Sequence, residues 1–307
     1  MSRFNKSLTT TVSAIRKSYW LYLMLIPGVA FFVLFRYLPM WGILIAFQDY
    51  NIWAGFGASP WVGFTHFVNF FNAPNFVQLM SNTLLLSLLS VIFAFPAPIL
   101  LALLLNELRS RIFKRTIQTL VYIPHFISWV IVASLSFMLL SSTGPVNGLI
   151  TSLGGDSIFF LTSPSAFRPI IIVQTIWKEA GWGTIVFLAA LSNVDVEQYE
   201  AAIVDGATRF QQVWHITLPA IRPVIVILLI LQMGNVLENG FDQIFLMSNA
   251  GNRIVSDVLD TFVFREGIIN GHFSYTTAIG VFKSFIGLIL VLGTNWLAKK
   301  AGESGIF

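Results

Sequence analysis

The chain has 307 residues, of which 56% are hydrophobic and only 10% charged, with 29 Phe and 9 Trp; this is too apolar for the surface of a soluble domain and reads as an integral membrane protein. The net charge of +4 is accounted for by Lys and Arg that flank apolar stretches, and no nucleic-acid partner is implied. With no cysteine, disulfides and thiolate metal centres are excluded, and His66, His125, His215 and His272 show no zinc-ligand spacing.

Residues 1–18 form a charged N-terminal segment. No small-residue cleavage site follows the next apolar run, which is therefore expected to be kept as a first span. Stretches near the roughly 20 residues needed to cross a bilayer predict membrane helices over 19–47, 82–105, 118–140, 169–192, 220–247 and 275–297. Together they make an all-α membrane domain over 19–297, with a short tail over 298–307. Pro27, Pro39, Pro96, Pro98 and Pro124 fall inside these stretches, where neighbouring helices re-satisfy the freed carbonyls and kinked helices result.

Lys and Arg cluster on one side of the predicted spans: Arg3, Lys6, Arg16 and Lys17, then Arg109, Arg111, Lys114 and Arg115, then Arg209, Arg222, Lys299 and Lys300. The other side carries Arg168, Arg253 and Arg265, so both termini are expected in the cytoplasm. The outer segments 48–81, 141–168 and 248–274 are rich in Gly, Ser, Asn and aromatics, which suits ordered loops on the outer face. Trp20, Trp41, Trp61 and Trp296 read as interfacial belt residues.

Six charged residues, Arg36, Lys178, Glu179, Glu238, Asp242 and Lys283, fall within predicted spans, where a charge costs about 2.5–3.5 kcal/mol on insertion scales and faces a cavity or a partner. On the fifth span Gln232, Asn235, Glu238, Asn239, Asp242 and Gln243 recur at helical spacing, predicting one continuous polar stripe along a water-accessible path. Gln174, Trp177, Lys178 and Trp182 of the fourth span offer aromatics beside polar groups, a combination that suits sugars, and Lys283 of the sixth lies at similar depth. The plainer alternative is that Lys178 and Lys283 pair with Glu238 and Asp242 to fix helix packing. For His125, a packed and hydrogen-bonded state is expected.

One polar island interrupts the apolar chain: "EQYEAAIVDGATRFQQVWHITLPAIRP", Glu197 to Pro223. Asp195 with Gln198, and Thr208 with Gln211, are spaced as N-cap and N3 pairs, and Gly206 supplies a permissive backbone between two short amphipathic helices. Val196, Tyr199 and Ile203 line one face of the first helix, and Phe210, Val213, Trp214 and Thr217 line the second. Pro219 is expected to close that second helix and open the next span. Such a pair either rests on the membrane surface or docks on another protein.

The series Glu200, Ala201, Ala202, Gly206, Ile216, Leu218 and Pro219, with Asp205 before the glycine, resembles the EAA loop of permease subunits of binding-protein-dependent ABC importers. The stretch from Tyr22 to Asn51 is similar to the first span of the oligosaccharide permeases related to maltose permeases. The resemblance implies a type I importer permease fold of six spans in a bacterial cell membrane, with the coupling loop at 193–219 docked on a cytoplasmic ATPase. It also implies a second permease subunit, two ATPase subunits, an extracytoplasmic binding protein and an oligosaccharide substrate. No G-x-x-x-x-G-K-S/T loop occurs in the chain, so no cofactor is expected on it, and ATP and Mg²⁺ belong to the partner ATPase. A peptide or anion as solute is the alternative within transport. An intramembrane transferase using Glu238 and Asp242 as acid and base is the alternative outside it.

Overall fold

The computed structural model describes residues 17–303, 305 and 306. Most of the N-terminal charged segment lies outside the described residues. Twelve helices position the sites: α1 Tyr19–Phe47, α2 Thr65–Phe71, α3 Phe76–Asn106, α4 Arg111–Tyr122, α5 Trp129–Leu140, α6 Pro145–Ser152, α7 Pro164–Leu191, α8 Val196–Val204, α9 Arg209–Gly234, α10 Phe241–Met247, α11 Leu259–Val263 and α12 Phe273–Lys300. The only strand-like pairing among the described residues is an isolated bridge between Gln48 and Trp61.

Five stretches are long and apolar enough to cross a membrane: α1, α3, Trp129–Ser152, α9 and α12. The 28-residue α7 has the length but carries Arg168, Lys178 and Glu179. The expected helix over 19–47 is found as α1, and the expectations at 82–105, 169–192 and 275–297 begin a few residues inside helices that start at Phe76, Pro164 and Phe273.

Two expected spans are broken. Between α4 and α5 the chain makes a tight turn over Ile123–Phe126, and Ile127 and Ser128 are extended, so 118–140 is not one helix. Ser128 restarts the helix by accepting from the Ile131 N–H. The expected span 220–247 ends at Gly234 and resumes only at Phe241, after Gly240 takes φ +71°.

The prolines explain which helices survive. Pro39, Pro96 and Pro219 each follow a widened turn, Val33–Tyr37, Ser90–Ala94 and Val213–Thr217 respectively. A proline clashes with the carbonyl four residues earlier, and Phe35, Ile92 and His215 hold those carbonyls within the widened turns, so the helix passes without a break. Consequently Pro219 does not close the second helix of the polar island. That helix runs unbroken from Arg209 into the span.

Because lipid is as apolar as leucine, close packing rather than water exclusion holds the membrane helices together. Leu86, Phe167, Ile171 and Ile244 join α3, α7 and α10 in one cluster, while Ile99, Phe187 and Ile221 join α3, α7 and α9 in another. A Cβ on Gly181 would collide with the Val121 carbonyl, and one on Gly287 would meet the Gly234 carbonyl at 2.8 Å. These glycines set the α7–α4 and α12–α9 crossings.

Candidate functional site

The polar island folds as its capping residues dictate. Asp195 accepts from the Glu197 N–H at 3.0 Å and starts α8. At its end the Gly206 N–H donates to Ile203 O at 3.0 Å and the Ala207 N–H to Ala202 O at 2.8 Å, with Gly206 at φ +78°. These paired bonds close a Schellman motif, which needs a left-handed residue at that position. Thr208 then opens α9 with a reciprocal box: its N–H donates to Gln211 Oε1 at 2.7 Å, and the Gln211 N–H donates to its hydroxyl. The Asp195–Gln198 pair expected from the sequence is not a reciprocal box, since Asp195 caps through Glu197.

Tyr199 and the buried Thr217 share a hydrogen bond of 2.9 Å that ties α8 to α9. Arg209 pairs with Glu107 at 2.8 Å, tying the island to the end of α3. The apolar faces remain uncovered: Val196, Ile203, Val204, Phe210 and Trp214 are all exposed, with Phe210 and Trp214 stacked. Glu200, Ala201 and Asp205 are exposed beside them, Ala202 and Ile216 half-buried, Leu218 half-buried and Pro219 exposed. Among the described residues Glu200 and Asp205 have no side-chain partner. The result is a pinned helix pair with an apolar surface and two free carboxylates.

A cavity of about 360 Å³ lies between α3, α7, α9 and α10, lined by Gln232, Glu238, Asn239 and Gln243 together with Glu179, Trp129 and Trp182. Val236, Glu238, Asn239 and Gly240 reach it from the break in the helix rather than from a helical stripe. The helix stops at Gly234, so Asn235, Glu238 and Asn239 stand on an irregular segment and Asp242 and Gln243 on a separate helix; the single continuous stripe is not formed. Asn239 donates to Thr83 O at 3.2 Å and accepts from Ser87, which fastens the irregular segment to α3. Gln243 donates to Gln174 at 2.9 Å and to Ile171 O at 2.9 Å and accepts from Thr175 at 3.1 Å, fastening α10 to α7. Backbone at membrane depth is tolerated only where protein or a cavity satisfies it, and both conditions are met here.

The remaining path residues are not brought together. Trp177 faces a different, apolar cavity of about 440 Å³, which Gln174 also borders while donating to Ser136 at 2.6 Å. Asn235 and Asp242 are exposed and border no part of the central cavity. Lys178 and Lys283 do not pair with Glu238 and Asp242: Lys178 bonds Glu179 at 3.1 Å and His125 O at 2.7 Å, and Lys283 pairs with Asp260. Arg36 is exposed on α1.

Sequence reading gave too little weight to the turn before α5. His125 Nδ1 donates to the Glu179 carboxylate at 2.7 Å, its ring lies flat on Trp182 at 4.5 Å, and its carbonyl accepts from the Lys178 ammonium, which also sits over Trp129. Thus the turn itself does not line the cavity but braces Glu179 and Trp182, which do, and leads directly into the lining residue Trp129. The signal was present as Pro124 followed by a capping serine, Ser128. No group of His, Asp and Glu among the described residues is arranged to hold a metal ion.

The family model for the binding-protein-dependent transport system inner membrane component matches residues 94–302, which include the turn before α5, most of the residues lining the cavity and the whole polar island. The chain belongs to this family. It is 55% identical over 297 residues to protein LplB of Bacillus subtilis, covering 96% of this chain and 93% of the relative. It is 56% identical over 289 residues to the polygalacturonan/rhamnogalacturonan transport system permease protein YteP of the same organism, covering 94% and 90%. Among solved structures, a chain of a bacterial alginate ABC transporter in complex with an alginate pentasaccharide-bound periplasmic protein superposes with a TM-score of 0.88 at 42% identity, covering 96% of this chain and 99% of that one. The permease is therefore a membrane component of an ABC transport system with the type I fold, and not an intramembrane transferase.

Proposed function

We propose that the permease is one of two different membrane subunits of an importer that carries an oligosaccharide into the cytoplasm. The central cavity supports this reading most directly. Trp129 and Trp182 present flat faces to the C–H surfaces of a sugar ring, while Gln232 and Glu238, whose side chains have no partner among the described residues, present hydrogen-bonding groups to its hydroxyls. The names of YteP and of the alginate transporter point to the same class of solute.

In this proposal α1, α3, the α4–α6 region, α7, α9–α10 and α12 make six membrane crossings, with both termini and the island in the cytoplasm of a bacterium. An extracytoplasmic binding protein delivers the glycan. ATP and Mg²⁺ bind two separate ATPase subunits, and each closure of the ATPase pair is transmitted through a helix pair such as α8 and the start of α9. The exposed Val196, Ile203, Val204, Phe210 and Trp214 and the free carboxylates of Glu200 and Asp205 are the surface this docking would cover. Residues Ala201, Ala202, Gly206, Ile216, Leu218 and Pro219 shape it.

The test is ATPase activity of the purified complex with binding protein loaded in turn with glycans and peptides. Stimulation by glycan-loaded protein is the expected outcome; stimulation by peptide-loaded protein alone would overturn the sugar reading.

A further inference from the structure

A second polar cavity, of about 410 Å³, lies in the segment after α10 and is bordered by Phe245, Ser248, Asn249, Arg253, Ser256 and Arg265. Its volume is within the range of small-ligand pockets, about 300–1,000 Å³. It shares α10 with the central cavity. Ser248 follows Gln243 by five residues, a rise of about 7.5 Å at about 1.5 Å per residue.

The wall is rigid for identifiable reasons. Asn249 and Asn252 both donate to Leu161 O, at 2.8 and 3.0 Å, and Asn252 also accepts from the Asn249 N–H at 2.9 Å. Arg265 is held by both oxygens of Asp257, at 3.1 and 2.7 Å, and lies over Phe262. Glu266 lies 3.9 Å from the same guanidinium as a second carboxylate, and the Arg265–Asp257 geometry holds one side of the cavity in place.

Arg253 is different. It is exposed and, among the described residues, its guanidinium has neither an ion pair nor a hydrogen bond. The cavity thus carries one guanidinium without a bonded partner, with five N–H donors, beside an aromatic face at Phe245, the amide of Asn249 and the hydroxyl of Ser248, while the Asp257 that also borders it is taken up by Arg265. Ser256 in the wall is wholly buried and its hydroxyl has no partner among the described residues. By contrast, the central cavity offers Glu238 without a free cation, and the ammonium of Lys178 is taken up by Glu179 and His125 O.

We propose that this cavity binds a sugar ring bearing a carboxylate, with Arg253 pairing the carboxylate and Phe245 stacking on the ring. The assignment rests on the glycan-import reading and narrows it to uronate-containing oligosaccharides. A concave pocket with a single free charge suits one carboxylate of a small ligand better than the broad acidic face of a protein.

The experiment uses the assembled transporter with its binding protein in proteoliposomes. Uptake of an oligogalacturonate is compared with that of its methyl-esterified form, for the unmodified complex and for Arg253→Gln and Arg253→Lys. Loss of a charge-assisted contact should raise the apparent KM for the acid form about tenfold in Arg253→Gln. Arg253→Lys should recover part of it, and the ester should be unaffected by either change. An equal effect on both forms, or none on either, overturns the proposal while leaving glycan import standing. Weaker association of unloaded binding protein with Arg253→Gln overturns it in favour of a protein-docking role. Uptake of neither glycan form by the unmodified complex, with uptake of another solute, removes the import reading and the proposal with it.

Discussion

Gly206 gives the sharpest test of how the α8–α9 surface is built. A Cβ at this position would meet nothing within 4 Å, so Gly206→Ala introduces no clash with neighbouring atoms. The whole cost comes from φ +78°, where an L-residue loses about 1–2 kcal/mol relative to glycine. That energy is taken from the Schellman closure and from the Tyr199–Thr217 bond that depends on α8 being in place. A loss of this size shifts an opening equilibrium by a factor of about 5–30. Hydrogen exchange of the amides in Val196–Val204 should therefore accelerate by that factor, while exchange in α7 and α12 is unchanged. Gly206→Asn should fall between glycine and alanine, because asparagine tolerates the left-handed region. Gly293→Ala, in the middle of α12 with equal open space around it, should show no such acceleration. Identical exchange in α8 for the unmodified chain and Gly206→Ala would refute the claim that this backbone angle holds the surface together.

Other consequences follow from the packing and the ion pairs. Gly181→Ala forces a methyl into the Val121 carbonyl; destabilisation of at least about 1–3 kcal/mol should appear as a lowered Tm of the detergent-solubilised complex, and Gly280→Ala, with open space around it, should not lower it. Glu179→Gln strips the nearly buried Lys178 ammonium of its carboxylate, so the Tm should fall by the equivalent of about 1–3 kcal/mol, and Lys178→Met combined with Glu179→Gln should recover part of the loss. In the segment before α12, hydrogen bonds from Asn270 and then His272 hold Glu266 below the ordinary carboxylate range despite partial burial. Its stabilising contribution is thus complete above the unfolded carboxylate pKa of about 4.3 and is lost as pH falls through the lower folded value. Exchange in 264–272 should accelerate in that acid window, and Glu266→Gln should abolish the pH dependence.

The polar island could be read closely because its determinants are local. Gly206 and the Thr208–Gln211 box each act within a few residues, and the structure forms both. Membrane helices are a different matter, since mean hydropathy does not distinguish a continuous helix from a broken one. Pro39, Pro96 and Pro219 lie in helices that accommodate them through a widened turn, whereas the chain breaks beside Pro124, and no proline rule separates the cases without the neighbours. The break before α10 did have a signal: Asn239-Gly240 is a turn dipeptide, and helical spacing was read straight across it. The polar side chains gathered there still border the cavity at Gln232, Glu238, Asn239 and Gln243, but by virtue of the break. Ion pairing was misassigned for a related reason. Lys178 bonds its own neighbour and Lys283 reaches Asp260 of α11, partners that depth along a span does not reveal.

The most direct measurement of the central claim is glycan uptake by the complete complex carrying Ala94→Trp. Ala94 borders the central cavity on α3, so an indole there occupies the proposed path without touching the exposed α8–α9 surface. Loss of oligosaccharide uptake with both permeases and the ATPase still co-purifying is the predicted result. Uptake at the unmodified rate would contradict passage through this cavity.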